Sequence, residues 1–260
     1  MIIIDKKILM YTIREVHFSD NPFDIENCDF INFCYCKNKL YAKDFTRQEE
    51  LTSVIDLDQD LDSIWHKMDN KNVRYYINRG YREGIKIHIN KKYNEFYKMT
   101  QYFNKKKGIK SHFDFLGVGR TSLEVMQKYG TLFIAEYDGV LLAGTLFLED
   151  GSTIRSWIGS SIRFDSDKKK RILAGCGNRL IDWEVIKYAK DKGIKEFDLG
   201  GLWSEEEAKK DILKQRINDY KLRVGGDSVT RYSYTKIYSK TYSLFYHLYD
   251  LKSYIQKAAL

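Results

Sequence analysis

The sequence holds a single proline and 4 cysteines in 260 residues, and no stretch approaches the ~18–20 uninterrupted apolar residues of a membrane span. The shortage of cysteine and the scatter of histidine argue against a metal centre. Cys34 and Cys36 are two apart, Cys28 is nearby and Cys176 is distant, while His17, His66, His88, His112 and His247 stand singly. A zinc site needs a second close pair, so no metal is expected. There is no G-x-S-x-G elbow, no complete P-loop, no low-complexity tract and no repeat at a fixed period. A covalent nucleophile is therefore hard to nominate. Cys176 at a helix N-terminus would have a lowered pKa, but no histidine is placed near it. The opening MIIIDKK is interrupted by Asp5 after four residues and has no basic region before it. It reads as a first strand, not a signal peptide, and the chain is expected in the cytoplasm.

What is present is a globular composition, 43% hydrophobic and 31% charged, with a formal charge of +8. A cationic chain suits a polyanionic partner such as tRNA, a nucleotide-linked sugar or a phosphorylated cofactor. The same charge also follows from a Lys-, Ile-, Asn- and Tyr-rich composition typical of an AT-rich genome. Charge alone decides little.

Periodicity predicts strands around residues 8–16, 30–35 and 53–57. Asp60 or Asp62 should cap a short helix ending near Met68. Val73, Ile77, Gly80 and Tyr81 share one helical face, Gly84 ends that helix, and residues 85–89 alternate as a strand. A helix is expected over 93–107, and Thr121 should cap another over 123–129. Then TLFIAEY, VLLAGTLFLE and STIRSWIGS form three strands joined by Asp138-Gly139 and Asp150-Gly151, dipeptides suited to tight hairpins. Gly175-Cys176-Gly177-Asn178 should open a helix to about Lys192, and the strand Phe197-Asp198-Leu199 should break at Gly200-Gly201. A strand near 229–234 and a helix from about 239 to 255, striped by Leu244, Leu248, Leu251 and Ile255, complete a mixed α/β pattern.

Four segments can carry chemistry. In RILAGCGNR, small residues at a helix start (Gly175, Gly177, Asn178) would bring backbone amides to a phosphate, with Arg171 at the mouth; close packing explains the glycines equally well. Arg74, Arg79 and Arg82 line a helix that could hold anions or simply face water. Asp198, at a strand end before two glycines, is costly to bury unless paired or used. It could orient or deprotonate an amine, or it could only brace the Gly200-Gly201 turn. Lys221, in DYKLRVGG, could hold a phosphate or an oxyanion; most lysines in such charged sequence are simply solvated.

Taken in order, RYYINRGYREGIKI, TLFIAEYDGVLLAGTLFL, CGNRLIDWEVIKYAKDKGIKEFDLGG and YKLRVGG resemble the Fem-type (FemABX-like) aminoacyl and peptidyl transferases of the GNAT superfamily, over about residues 52–260. The resemblance implies an α/β GNAT-like acyltransferase fold with a mostly antiparallel central sheet flanked by helices. It implies a reduced N-terminal GNAT-like subdomain over 1–115 and a catalytic one over 116–260. It also implies transfer from aminoacyl-tRNA, or from a thioester such as acyl-CoA, to an amine of a nucleotide- or lipid-linked cell-envelope precursor, a peptidoglycan peptide or an amino-sugar. No tightly bound cofactor and no DNA partner are implied. By similarity Lys221 is the functional lysine and Asp198 lies at the cleft, with Gly200, Gly201, Trp203 and Tyr220 in substrate contact. The helical-hairpin arm of some members is missing, and RILAGCGNR does not match the usual acetyl-CoA loop. The other class is a non-catalytic RNA-binding protein, or a membrane-surface protein using the last helix with its five tyrosines from Tyr238 to Tyr254.

Overall fold

The computed structural model describes residues 1–107, 121–163, 167–244 and 246. They form two compact units. The expected boundary at residue 115 lies outside the described residues, as do Leu248, Leu251 and Ile255 of the expected last helix. No helix among the described residues is long and apolar enough to cross a membrane.

The first unit holds residues 1–50 and the chain from Thr230. Strands β1 (Ile2–Ile8), β2 (Tyr11–His17) and β3 (Phe30–Cys36) pair with the later part of β10 (Asp227–Ile237) in the order β1-β2-β3-β10. β2 and β3 run parallel and the other neighbours antiparallel. Val16, Ile31, Phe33, Cys36 and Tyr234 make its core.

The second unit is built on six strands in the order β4-β9-β8-β7-β6-β5, namely β4 (Thr46–Asp56, from Leu51), β5 (Lys86–Ile89), β6 (Gly130–Tyr137), β7 (Val140–Glu149), β8 (Thr153–Ser161) and β9 (Glu196–Leu202). Only β8 and β9 are parallel neighbours. Alternation along β6 divides the packing, as the pleat requires. Phe133 and Ala135 meet α1 (Leu61–Lys67), α2 (Tyr75–Arg82) and α5 (Lys168–Asp191), whereas Leu132 and Ile134 meet α3 (Tyr93–Lys107) and α4 (Leu123–Tyr129).

The hairpins form for two reasons. Asp138 and Gly139 both take positive φ, 51° and 74°, as a two-residue turn matched to strand twist needs. The second turn is closed by a side chain: the Asp150 carboxylate accepts the amides of Ser152 and Thr153 at 2.9 and 3.0 Å. Asp60 caps α1 through Ser63 N. The cap of α4 is Ser122, which accepts from Val125 N, and not the expected Thr121.

Two expectations at the heart of the sheet are corrected. α5 starts at Lys168, capped by the Asp167 carboxylate on Lys170 N at 2.8 Å, so Gly175 and Gly177 lie well inside it. Amides there belong to the helix's own ladder; only those of the first turn are left over. Gly177 instead lets the helix approach the sheet, since a Cβ there would stand 2.8 Å from that of Ala135. Cys176 is buried, which pushes its thiol pKa up and removes the reason to think it nucleophilic. Secondly, β9 does not break at Gly200-Gly201. It runs to Leu202 with Gly200 at φ +90°, opposite a register shift in β4 between Thr52 and Val54.

α6 (Glu205–Lys210) and α7 (Ile212–Arg223) were not anticipated. α7 has no fully buried residue, so no apolar stripe marks its period.

Candidate active site

Three strands of the second unit bring polar side chains to one buried point. Arg155 on β8 donates to Asp198 Oδ2 on β9, and Thr52 on β4 donates to Asp198 Oδ1. The amide of Gly200 reaches Asp198 Oδ1 at 2.7 Å. Both carboxylate oxygens are thus occupied, and Arg155 and Asp198 are almost wholly buried. A buried ion pair with its remaining lone pairs satisfied is strongly held, because losing either partner strands a charge. Of the two readings of Asp198 left open above, its bond to Gly200 N matches the structural one, with the difference that Gly200 and Gly201 continue β9 and form no turn. The signal that could have found its partner was Arg155 itself, a charge inside the apolar strand STIRSWIGS.

Lys221, in the last turn of α7, lies over this stretch of β9. Its Nζ donates to Gly201 O at 2.6 Å and stands 3.3 Å from where a Cβ on Gly200 would be. A side chain at Gly200 would crowd the ammonium, so the glycine serves close approach as well as positive φ. Burial lowers the Lys221 pKa to about 8, with Asp198 and Asp182 opposing the shift and Arg155 reinforcing it. At neutral pH the group is a mostly protonated, poorly solvated cation, the state in which a charge acts most strongly on a developing anion.

On the helix side, Tyr220 donates to Asp182 Oδ2 of α5. Burial raises the Asp182 carboxyl to about 6, against the opposing effects of Tyr220, Arg179 and Lys221. Burial also pushes the Tyr220 hydroxyl well above its ordinary value, and the Asp182 charge adds to this. The Arg179 guanidinium is 4.7 Å from the Tyr76 ring and 5.1 Å from the Tyr220 ring. It donates to Asn72 O at 2.5 Å and to Gly175 O at 2.9 Å. Asn72 belongs to a single π-helical turn, Asn70–Arg74, capped by Asp69.

At the end of β9, between Leu202 and α7, lies a groove of about 380 Å³ lined by Leu51, Leu202, Trp203, Ala208, Asn218 and Leu222 among others; Lys221 is not part of its lining, but its chain neighbour Leu222 is. Trp203 is held by a two-way clamp, its amide donating to Asn218 Oδ1 at 2.9 Å and its carbonyl accepting from Asn218 Nδ2 at 2.8 Å. Lys214 Nζ sits 3.9 Å above the indole ring.

The structure therefore gathers Lys221, Asp198, Gly200, Gly201 and Tyr220, with Trp203 beside them. The expected arginines have other places. Arg79 pairs with Glu83 at 3.2 Å, Arg171 is exposed in the first turn of α5, and Arg74 ends the π-helical turn with its Nε buried. Asn178 is half-buried within α5. The cation that acts on Lys221 is instead Arg155, and Arg179 lies against the ring of the adjacent Tyr220. Sequence reading also missed Asp182, whose signal was a carboxylate within the apolar run of α5.

No protein-family model and no curated protein matches the chain. Solved structures do. FemX superposes with a TM-score of 0.61 at 12% identity, over 94% of this chain and 85% of that one. L-PGS from Bacillus licheniformis gives 0.56 at 12%, over 96% and 85%. A C-terminal domain assigned to a lysylphosphatidylglycerol synthetase of Agrobacterium fabrum gives 0.57 at 11%, over 96% and 84%. The fold class is the expected one, mixed α/β with a mostly antiparallel sheet flanked by helices, and it is shared with FemX. At these identities the likeness is one of fold.

Proposed function

We propose that this protein is an acyltransferase, moving an aminoacyl or acyl group from aminoacyl-tRNA or an acyl-CoA thioester to an amine of a cell-envelope precursor. The observation that carries the reading is Lys221, a part-buried ammonium fixed on the carbonyl of Gly201, the residue before the groove-lining Leu202. The fold shared with FemX and the two synthetases supports the reaction class.

In this reading the acceptor amine attacks the ester or thioester carbonyl and the new C–N bond forms. Lys221 holds the oxyanion as it develops. The C–O or C–S bond then breaks, and the amine's proton ends on the leaving hydroxyl or thiol. Asp198 acts as a positioning residue, because Arg155, Thr52 and Gly200 N already occupy its oxygens. The groove would take the body of one substrate, with Trp203 as a wall.

Two donors can be set against each other, charged total tRNA and acetyl-CoA, each with a nucleotide-linked peptidoglycan peptide as acceptor. Product formed from one donor, reduced ~100-fold or more in Lys221→Ala, supports the reading, as expected when an oxyanion donor is lost. Turnover in Lys221→Ala within threefold of wild type sinks it. Retention of tRNA without any product would favour the RNA-binding alternative.

A further inference from the structure

Tyr220 and Asp182 join the last turn of α7 to the middle of α5 by a hydrogen bond that the transfer chemistry does not use. Tyr220 immediately precedes Lys221, so whatever fixes its hydroxyl also fixes the backbone from which the lysine projects. The Tyr220 ring also meets Arg179, whose guanidinium stands 5.1 Å from it and is anchored to two carbonyls, one of them in the π-helical turn. π-helical turns in α-helical surroundings recur at functional sites. Here the turn supplies the carbonyl that holds the brace.

The charges around the lysine come from four elements. Arg179 and Asp182 lie on α5, Lys221 itself on α7, Arg155 on β8 and Asp198 on β9. Asp198 is neutralised by Arg155 in an ion pair. Asp182 has no ion pair among the described residues; it accepts from the Tyr220 hydroxyl, and Arg179 and Lys221 act on it without a bond. Asp198 and Asp182 both favour the charged form of Lys221, Asp198 the more strongly and with Arg155 working against it; deleting Asp182 should still be felt at the ammonium.

We infer that Tyr220 and Asp182, braced by Arg179, are positioning residues for Lys221: the hydroxyl–carboxylate pair fixes the last turn of α7 and so holds the lysine over Gly201. The inference deepens the proposed function and rests on Lys221 being the functional lysine. It does not require the donor or acceptor to be known.

Competitive labelling of the intact protein with acetic anhydride across pH, read peptide by peptide in a mass spectrometer, gives the pKa and reactivity of each lysine without substrate. In the wild type Lys221 should titrate well below the exposed lysines. Asp182→Asn should lower its apparent pKa by about half a unit or more, since an anion that favours the charged form is gone. Tyr220→Phe keeps the charge but loses the bond. It should raise the labelling rate of Lys221 about threefold or more through greater access, with a smaller pKa change. Labelling of Lys39, in the first unit, should be unaltered in both. Unchanged pKa and rate at Lys221 in both variants overturn the inference, and Tyr220→Phe decides alone if Asp182→Asn does not fold. Failure of acyl transfer with either donor would leave this result standing, so the two readings fall separately.

Discussion

The strand floor under Lys221 and the helix interface beside it each bury one aspartate, and the two are treated differently. Asp198, between β4, β8 and β9, faces a guanidinium, a hydroxyl and a backbone amide. Asp182, between α5 and α7, faces the hydroxyl of Tyr220, and its carboxyl is driven up to about 6. Burial alone does not set the behaviour of a carboxylate. A bonded cation keeps it charged and turns it into a structural fixture, whereas a hydroxyl leaves much of the desolvation cost in place and makes the group sensitive to pH. Lys221 lies within the field of both.

The comparison breaks most visibly at Asp198. Asp198→Ala leaves Arg155 buried without its partner and should cost about 3–5 kcal/mol, read as a large fall in the thermal midpoint. A loss near zero would mean that the ion pair is not what holds β8 against β9.

Lys221→Met should have an intermediate effect of opposite sign. The folded pKa of about 8 lies below the ordinary lysine value of 10.5. The unfolded chain therefore binds more protons between those pH values, and stability rises with pH from 8 to 10.5. Below pH 8 the buried ammonium is a cost, so Lys221→Met should stabilise the protein at pH 7 by about 2 kcal/mol while abolishing transfer. Denaturant titration at pH 7 and pH 10.5 measures this, and the gain should shrink at the higher pH.

The smallest expected effect is at Asp182. A carboxyl raised from 3.8 to about 6 contributes stability that is complete below pH 4 and lost as pH rises through 6. Asp182→Asn keeps an acceptor for Tyr220, so it should remove roughly 1–2 kcal/mol of that pH dependence and little else. Parallel stability curves for variant and wild type between pH 4 and pH 7 would show that Asp182 is already ionised at pH 4.

Much of the second unit was legible in the sequence. Residues 93–107 read as a helix and the 131–161 meander read as strands because apolar spacing and turn chemistry agree there. The misreadings share one cause. RILAGCGNR looked like a helix start because glycine is disfavoured inside helices, yet Gly177 is kept so that α5 can meet Ala135. FDLGG looked like a strand end because Gly200 takes a positive φ, yet β4 shifts register opposite it and pairing resumes. α7 was hidden because helical period shows only where one face is buried.

By itself the sequence determined many of the local elements and singled out Asp198 and Lys221 as candidates, because periodicity, capping and an anomalous charge before two glycines are local signals. Only the tertiary structure decided what those two residues meet. It chose Arg155 as the partner of Asp198, Gly201 O as the seat of Lys221 and Asp182 as the second carboxylate. Those pairings join residues far apart in the chain, and whether a buried charge is neutralised, shifted or left to act depends on which distant group folding sets against it.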